Sequence, residues 1–159
     1  MKILVAYHCK TGPTRRMARE IARRCGADLD AIQEVRDGTS LWARWRARWQ
    51  ALRGGEAPIR HPVRNPARYD LVIIGSPILK SGVVPAVRSY VRQYGPRFKQ
   101  VAFFSAEGGA TAQRGFAELT RLCGREPVAS FAVDAERSNL PPAAHRDGLS
   151  DFMQSMQRQ

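Results

Sequence analysis

The residues of this sequence best placed to do chemistry form a loop directly after a short apolar run near the start of the chain. The loop, residues 8–14, reads HCKTGPT, and a helical pattern follows it at once. Such a loop directs unpaired backbone N–H groups and the positive end of a helix dipole at one point, which suits a phosphate dianion. Thr11 and Thr14 add hydroxyl donors, and Gly12 allows a close backbone approach. The alternative is that Thr14 only caps the helix and Gly12 only makes a turn.

The same loop also fits a second chemistry. His8, Cys9, Gly12 and Arg15 spell H-C-x-x-G-x-x-R, which resembles the phosphate loop of cysteine-dependent protein tyrosine phosphatases. In that chemistry a thiolate, favoured by the helix N-terminus, attacks phosphorus while the arginine binds the phosphate oxygens. The class also needs an aspartate general acid, usually in an Asp-Pro pair near the C-terminus. No late aspartate of this chain precedes a proline, so the phosphatase is kept as the alternative.

Four short apolar runs predict the strands that position this loop. Each run is too short for a helix and apolar on consecutive residues, as expected of a strand covered on both faces. The runs are residues 3–7, 71–75, 101–105 and 128–133. A fifth and weaker candidate, residues 27–35, lies between the first two.

Apolar residues at helical spacing predict helices between these strands. The helices are residues 14–25, 41–53, 85–94, 115–123 and 143–157, and the chain is therefore a strand–helix unit repeated five times. Such alternation implies parallel strands, right-handed crossovers and helices on both faces of the sheet. Ligands of such sheets bind at the carboxyl ends of the strands, beside the point where the strand order reverses.

Three segments in the correct order resemble the flavodoxin family. Residues 9–14, C-K-T-G-P-T, resemble its phosphate-loop pattern (Ser or Thr)-x-T-G-x-T. Residues 69–77 and 103–109 match the places where that family also supplies flavin-binding loops. The resemblance covers about residues 1 to 123. It implies a flavodoxin-like three-layer α/β sandwich with a five-stranded parallel sheet in the order 2-1-3-4-5, and flavin mononucleotide (FMN) across the ends of strands one, three and four.

The resemblance also implies which residues bind the cofactor. The loop after the first strand would hold the phosphate, the loop after the third would flank the isoalloxazine ring, and the loop after the fourth would cover its pyrimidine side with backbone groups. In chain order the candidates are Cys9, Lys10, Thr11, Gly12, Pro13, Thr14, Pro77, Ile78, Leu79, Lys80, Ser81, Ser105, Ala106, Glu107, Gly108 and Gly109. We predict no catalytic side chain, because the flavin would do the chemistry.

Composition restricts the class of protein. The 159 residues suffice for a single domain, expected to span residues 1–159, with a core that needs neither metals nor disulfides. The apolar runs are far shorter than the roughly 20 residues of a membrane span. Three widely spaced cysteines without a C-x-x-C pair favour neither a disulfide framework nor a zinc site. We therefore expect a cytoplasmic protein.

The chain is strongly basic, with 26 lysines and arginines against 14 acidic residues and a formal net charge of +12. Arginine supplies nearly all of the excess and is scattered along the chain. Because the basic residues form no single cluster in the sequence, we do not predict a nucleic-acid partner.

An aromatic and basic segment, residues 41–53, contains all three tryptophans. Trp42, Trp45, Trp49 and Leu52 fall at helical spacing, and four arginines occupy the rest of the helix. This helix could lie on an anionic membrane, contact a partner or cover the flavin. Alternatively its tryptophans pack on the sheet or pair across a homodimer, since apolar stripes at helical spacing usually belong to a core.

The sequence thus predicts an FMN-dependent redox protein. It would be an electron carrier or a small oxidoreductase that passes reducing equivalents to a quinone-like or protein acceptor. Positive charge near the flavin would favour the anionic reduced form, so we expect a less negative potential than in acidic flavodoxins. A further alternative is a flavodoxin-fold module that has lost its cofactor and only binds a partner.

Overall fold

The computed structural model describes residues 1–9, 12–35, 55–133 and 142–157. Two features predicted above lie outside these ranges. They are the residue pair Lys10 and Thr11, and the aromatic helix at residues 41–53.

Within the described residues, five parallel strands form the central sheet. They are β1 (Ile3–Tyr7), β2 (Asp28–Ala31), β3 (Leu71–Gly75), β6 (Gln100–Ser105) and β7 (Ser130–Ala132), and a separate antiparallel hairpin between β3 and β6 contributes β4 (Ile78–Leu79) and β5 (Gly82–Val83). The sheet order is β2-β1-β3-β6-β7. Counting only its five strands in chain order, this is 2-1-3-4-5, so the predicted topology is confirmed.

The described helices follow the strands as predicted, with one clear difference in length. They are α1 (Gly12–Cys25), α2 (Pro85–Tyr94), α3 (Gly109–Cys123) and α4 (Pro142–Gln157), with 3-10 turns at Pro66–Arg68 and Gly95–Arg97. The prediction started α3 at Gly115, six residues too late. Ala112, the buried residue of the missed segment, is too small to give a strong apolar pattern.

Two apolar clusters cover the two faces of the sheet. On one face Tyr90 of α2 and Leu119 of α3 pack with residues of β1, β3 and β6. On the other face Ile21 of α1 and Phe152 of α4 pack against the alternate residues of the same strands. Strand β3 is buried along its whole length. The three-layer α/β sandwich is therefore confirmed.

Both edge strands are shorter than predicted. After β2 the chain leaves regular pairing, and Glu34 forms an isolated antiparallel bridge with Ile59. Pairing with β6 extends beyond the regular part of β7. Val128 N–H donates to the Val101 carbonyl at 2.8 Å, and Val133 N–H donates to the Ser105 carbonyl at 3.1 Å. Among the described helices, none is both long and apolar enough to cross a bilayer.

Candidate functional site

The carboxyl ends of β1, β3 and β6 lie side by side, because these strands are adjacent and parallel. His8 N–H donates to the Gly75 carbonyl at 3.0 Å, and Ser76 N–H donates to the Phe104 carbonyl at 3.2 Å. Pairing of the three strands therefore continues to the point where the loops begin. We call residues 8–9, 12–14, 76–81 and 105–109 together the carboxyl-edge site; every predicted cofactor residue that the structure describes lies in it.

The loop after β1 leads directly into the positive end of a helix. Helix α1 begins at Gly12, two residues before the predicted start, and Gly12 and Pro13 belong to its first turn. Proline is tolerated there because the first N–H groups of a helix have no intrahelical partner. Thr14 is buried, and Arg15 is exposed beside it. The start of α1 therefore brings N–H groups without intrahelical partners and the positive end of a helix dipole to the site, an arrangement that suits an anion.

The side chain of His8 points to the end of β2. His8 is 6% exposed, and its Nδ1 lies 2.9 Å from the Ile32 carbonyl, which can only accept, so Nδ1 carries the proton. Its Nε2 lies 3.7 Å from a carboxylate oxygen of Glu34. The histidine of the H-C-x-x-G-x-x-R pattern therefore connects the start of the loop to the residue that follows β2.

The loop after β3 is a tight hairpin, which the sequence analysis missed. Strands β4 and β5 are two residues each, and Lys80 and Ser81 form the exposed turn between them. Ile78 is 3% exposed and Leu79 is 51% exposed, so these neighbours face opposite sides. Of the five residues predicted to flank the ring, 77–81, Leu79 turns its side chain to the surface while Ile78 turns its side chain inward. The Ser-Gly pair at the end of the turn is the sequence signal that could have revealed the hairpin.

Ile78 is buried against helix α3. A Cβ atom on Gly115 would lie 2.5 Å from Ile78 Cδ1, so the absence of a side chain at Gly115 lets the hairpin approach the helix. The structure therefore gives Ile78 a packing role, and leaves its backbone N–H as the group that faces the next loop.

Glu107 connects the loop after β6 to this hairpin. Its Oε2 accepts a hydrogen bond from Ile78 N–H at 2.9 Å and another from Ser105 Oγ at 2.8 Å. Its own backbone N–H donates to Ser105 Oγ at 3.1 Å. The resemblance implies backbone contacts for this loop and does not reveal the role of the Glu107 side chain.

A second carboxylate holds the other strand of the hairpin. Glu118 Oε2 accepts from Val83 N–H at 3.0 Å, while Glu118 Oε1 accepts from Arg88 Nε of α2. The side chains of this ion pair are 6% and 15% exposed for Arg88 and Glu118. The hairpin is thus bonded through both of its strands to side chains of the surrounding elements.

A comparison with protein families decides the class of this chain. The model of the flavodoxin family matches residues 2–130. The chain belongs to the flavodoxin family. The match covers all three loops of the carboxyl-edge site, and it confirms the resemblance carried by the C-K-T-G-P-T loop.

Solved structures share the flavodoxin fold of this chain. A protein from Bacteroides eggerthii superposes with a TM-score of 0.71 at 23% identity, over 96% of this chain and 98% of that chain. A flavoprotein from Lactobacillus acidophilus in complex with FMN has a TM-score of 0.65 at 18% identity, over 85% and 95% of the two chains. Oxidised flavodoxin 1 from Bacillus cereus has a TM-score of 0.57 at 14% identity, over 100% and 99%. No curated protein matches the chain.

Proposed function

We propose that this flavodoxin-family chain binds FMN at the carboxyl-edge site and acts as a redox protein. Its role would be that of an electron carrier or of a small oxidoreductase serving a quinone-like or protein acceptor. The observation that supports the proposal most strongly is the meeting of three loops at one sheet edge, with the positive end of α1 among them. The L. acidophilus flavoprotein, which has the same fold, is in complex with FMN.

The described residues fit the chemistry of FMN. Its phosphate is a dianion, and the start of α1 supplies N–H donors, the buried Thr14 hydroxyl and a basic first turn. Its ring is flat and apolar on both faces, and the exposed side chain of Leu79 offers an apolar contact. Gly108 and Gly109 leave the backbone of the third loop open to approach, because no Cβ covers it.

Each loop would have its own task with FMN bound. Residues 9–14 would hold the phosphate, the hairpin would bound one side of the ring, and residues 105–109 would bound another. FMN would supply the electron-transfer chemistry, while the chain binds it, orients it and limits its contact with water.

We further propose a cytoplasmic location and a redox partner that is a protein or a small electron acceptor. None of the three widely spaced cysteines, all of which the structure describes, forms a disulfide, and this supports a reducing compartment. Pairing across a homodimer, and peripheral membrane contact through Trp42, Trp45 and Trp49, stay as hypotheses about residues 41–53.

The test is an equilibrium titration of FMN-free protein with FMN, followed by flavin fluorescence and by the visible absorption of the complex. We expect saturable binding of one FMN. Thr14→Val, which removes the hydroxyl and keeps the shape, should weaken binding about tenfold, the usual effect of losing a hydrogen bond to a charged group. Thr120→Val is the matched control. Thr120 lies in the last turn of α3, at the end away from the carboxyl-edge site, so this variant should bind FMN as wild type does.

Two results would overturn the proposal. The first is an absence of saturable binding at millimolar FMN. The second is hydrolysis of p-nitrophenyl phosphate that Cys9→Ser abolishes, which would support the phosphatase chemistry of the same loop.

A further inference from the structure

We propose that Glu107 is a positioning residue that fixes the start of the β4–β5 hairpin against the loop after β6. By this contact it would set the distance between the loop after β3 and the loop after β6 before a ligand binds. The inference rests on the proposed function only for its effect on FMN, since the contact itself is between two loops of the protein.

Regular pairing between these two loops ends one residue beyond the sheet. Gly75 is paired with Phe104, and Ser76 N–H still reaches the Phe104 carbonyl at 3.2 Å. The Ser76 hydroxyl donates to the Pro77 carbonyl at 2.8 Å, so this bond stays within the loop after β3. In the described part of the chain, the next bond between the two loops is the one from Ile78 N–H to Glu107 Oε2.

The side chain of Glu107 is held in place for this bond. Ser105, which is 0% exposed, donates to Glu107 Oε2 and accepts from Glu107 N–H. The serine therefore fixes both the backbone and the carboxylate of Glu107. Hydrogen bonds to an ionised acceptor are roughly twice as strong as neutral ones, so one carboxylate oxygen with two donors makes a firm connection.

Helix α3 holds the hairpin independently of Glu107. Val83 N–H is bonded to Glu118 of α3, and the Ile78 side chain packs on Gly115 of the same helix. Loss of the Glu107 carboxylate would thus leave the hairpin attached to α3 while releasing its start from the loop after β6. The expected effect is local, which allows the test to separate it from general unfolding.

The first measurement uses FMN-free protein and follows hydrogen exchange of the Ile78 amide by NMR. Glu107→Ala should accelerate exchange at this amide at least about tenfold, because the amide loses a bond to a charged acceptor. Glu107→Gln should restore most of the protection, since its Oε1 can accept from both donors although it lacks the charge. Glu126→Ala is the matched control: Glu126 is exposed and follows the far end of α3, and its loss should leave Ile78 exchange unchanged.

The second measurement is FMN affinity for the same four proteins. We expect about tenfold weaker binding for Glu107→Ala, near wild-type binding for Glu107→Gln, and wild-type binding for Glu126→Ala. Rescue by glutamine distinguishes a positioning bond from a role of the charge in binding.

Wild-type Ile78 exchange in Glu107→Ala would overturn the inference, and so would a failure of glutamine to restore protection. If wild-type protein binds no FMN, the proposed function fails by itself. Ile78 exchange then still decides whether Glu107 positions the hairpin.

Discussion

Cys9 occupies the position at which the flavodoxin phosphate-loop pattern has serine or threonine. It is half-buried and lies between the end of β1 and the start of α1. A thiol is a weaker hydrogen-bond donor than a hydroxyl, so this chain would hold a phosphate less firmly at this position than the pattern allows.

Cys9→Ser should therefore tighten FMN binding. We expect a two- to tenfold lower Kd, roughly the net value of one neutral hydrogen bond, in the fluorescence titration described above. Cys25→Ser, at the other end of α1, should leave the Kd unchanged. Equal or weaker binding by Cys9→Ser would show that residue 9 donates nothing to the phosphate.

Asp30 of β2 is a buried carboxylate on the opposite side of β1 from β3. Burial raises the pKa of Asp30, although its Oδ2 accepts a hydrogen bond from Arg64 N–H at 2.8 Å. Because the folded pKa lies above the unfolded one, Asp30 favours folding most below the unfolded pKa, and this contribution is lost as the pH rises through the folded pKa. At neutral pH the buried charge costs stability.

Asp30→Asn should consequently stabilise the protein at pH 7, because asparagine keeps the acceptor for Arg64 and removes the charge. The comparison is urea unfolding of wild type and variant at pH 4 and at pH 7. The advantage of the variant should grow with pH. An advantage that shrinks with pH would show that the ionised form of Asp30 is the stabilising one.

At the level of elements, the sequence allowed the sheet and its connections to be predicted but not the hairpin. Strands β1 and β3 and helix α2 match the predicted residues, because consecutive apolar residues mark the two strands and apolar residues at helical spacing mark the helix. The hairpin was missed since two-residue strands have too little periodicity to recognise. The Glu107 contact was missed for another reason, namely that Ile78 and Glu107 meet only after β3 and β6 are paired.

The hairpin also depends on the buried ion pair of Arg88 and Glu118. Glu118→Ala should reduce the free energy of unfolding by about 3–5 kcal/mol, because it leaves a buried guanidinium without its carboxylate. The exposed pair of Arg92 and Glu56, whose side chains are 53% and 46% exposed, is the matched control. Glu56→Ala should cost less than about 1 kcal/mol.

Urea unfolding of both variants measures these costs. A loss of unfolding free energy for Glu118→Ala as small as that for Glu56→Ala would mean that the Arg88–Glu118 pair is solvated and does not stabilise the hairpin. Glu118→Gln provides an intermediate case, because it keeps the acceptor for Val83 N–H and removes only the charge.

At the scale of the whole molecule, the net charge of +12 should affect the redox chemistry proposed above. Each positive charge about 10 Å from the ring would favour an anionic reduced flavin by roughly 0.4 kcal/mol before screening. We therefore expect a less negative reduction potential than that of acidic flavodoxins. Raising the salt concentration from about 0.05 to about 0.5 M should make the potential more negative, since salt screens these charges.

Potentiometric titration of the FMN complex at the two salt concentrations measures both effects. A potential as low as that of acidic flavodoxins, or one that salt does not change, would show that the scattered arginines have no net influence at the ring.

The short outer strands have a consequence for self-association. An open sheet presents unpaired main-chain groups along its two sides, which can template the addition of a second chain. Here β2 has four residues with Asp28 and Asp30 among them, and β7 has three. Asp28 also accepts a hydrogen bond from the Tyr69 hydroxyl at 2.7 Å. In the described part of the chain, neither side offers a long, flat and apolar template. Two copies of this protein that associate should therefore do so through helices rather than by extending the sheet.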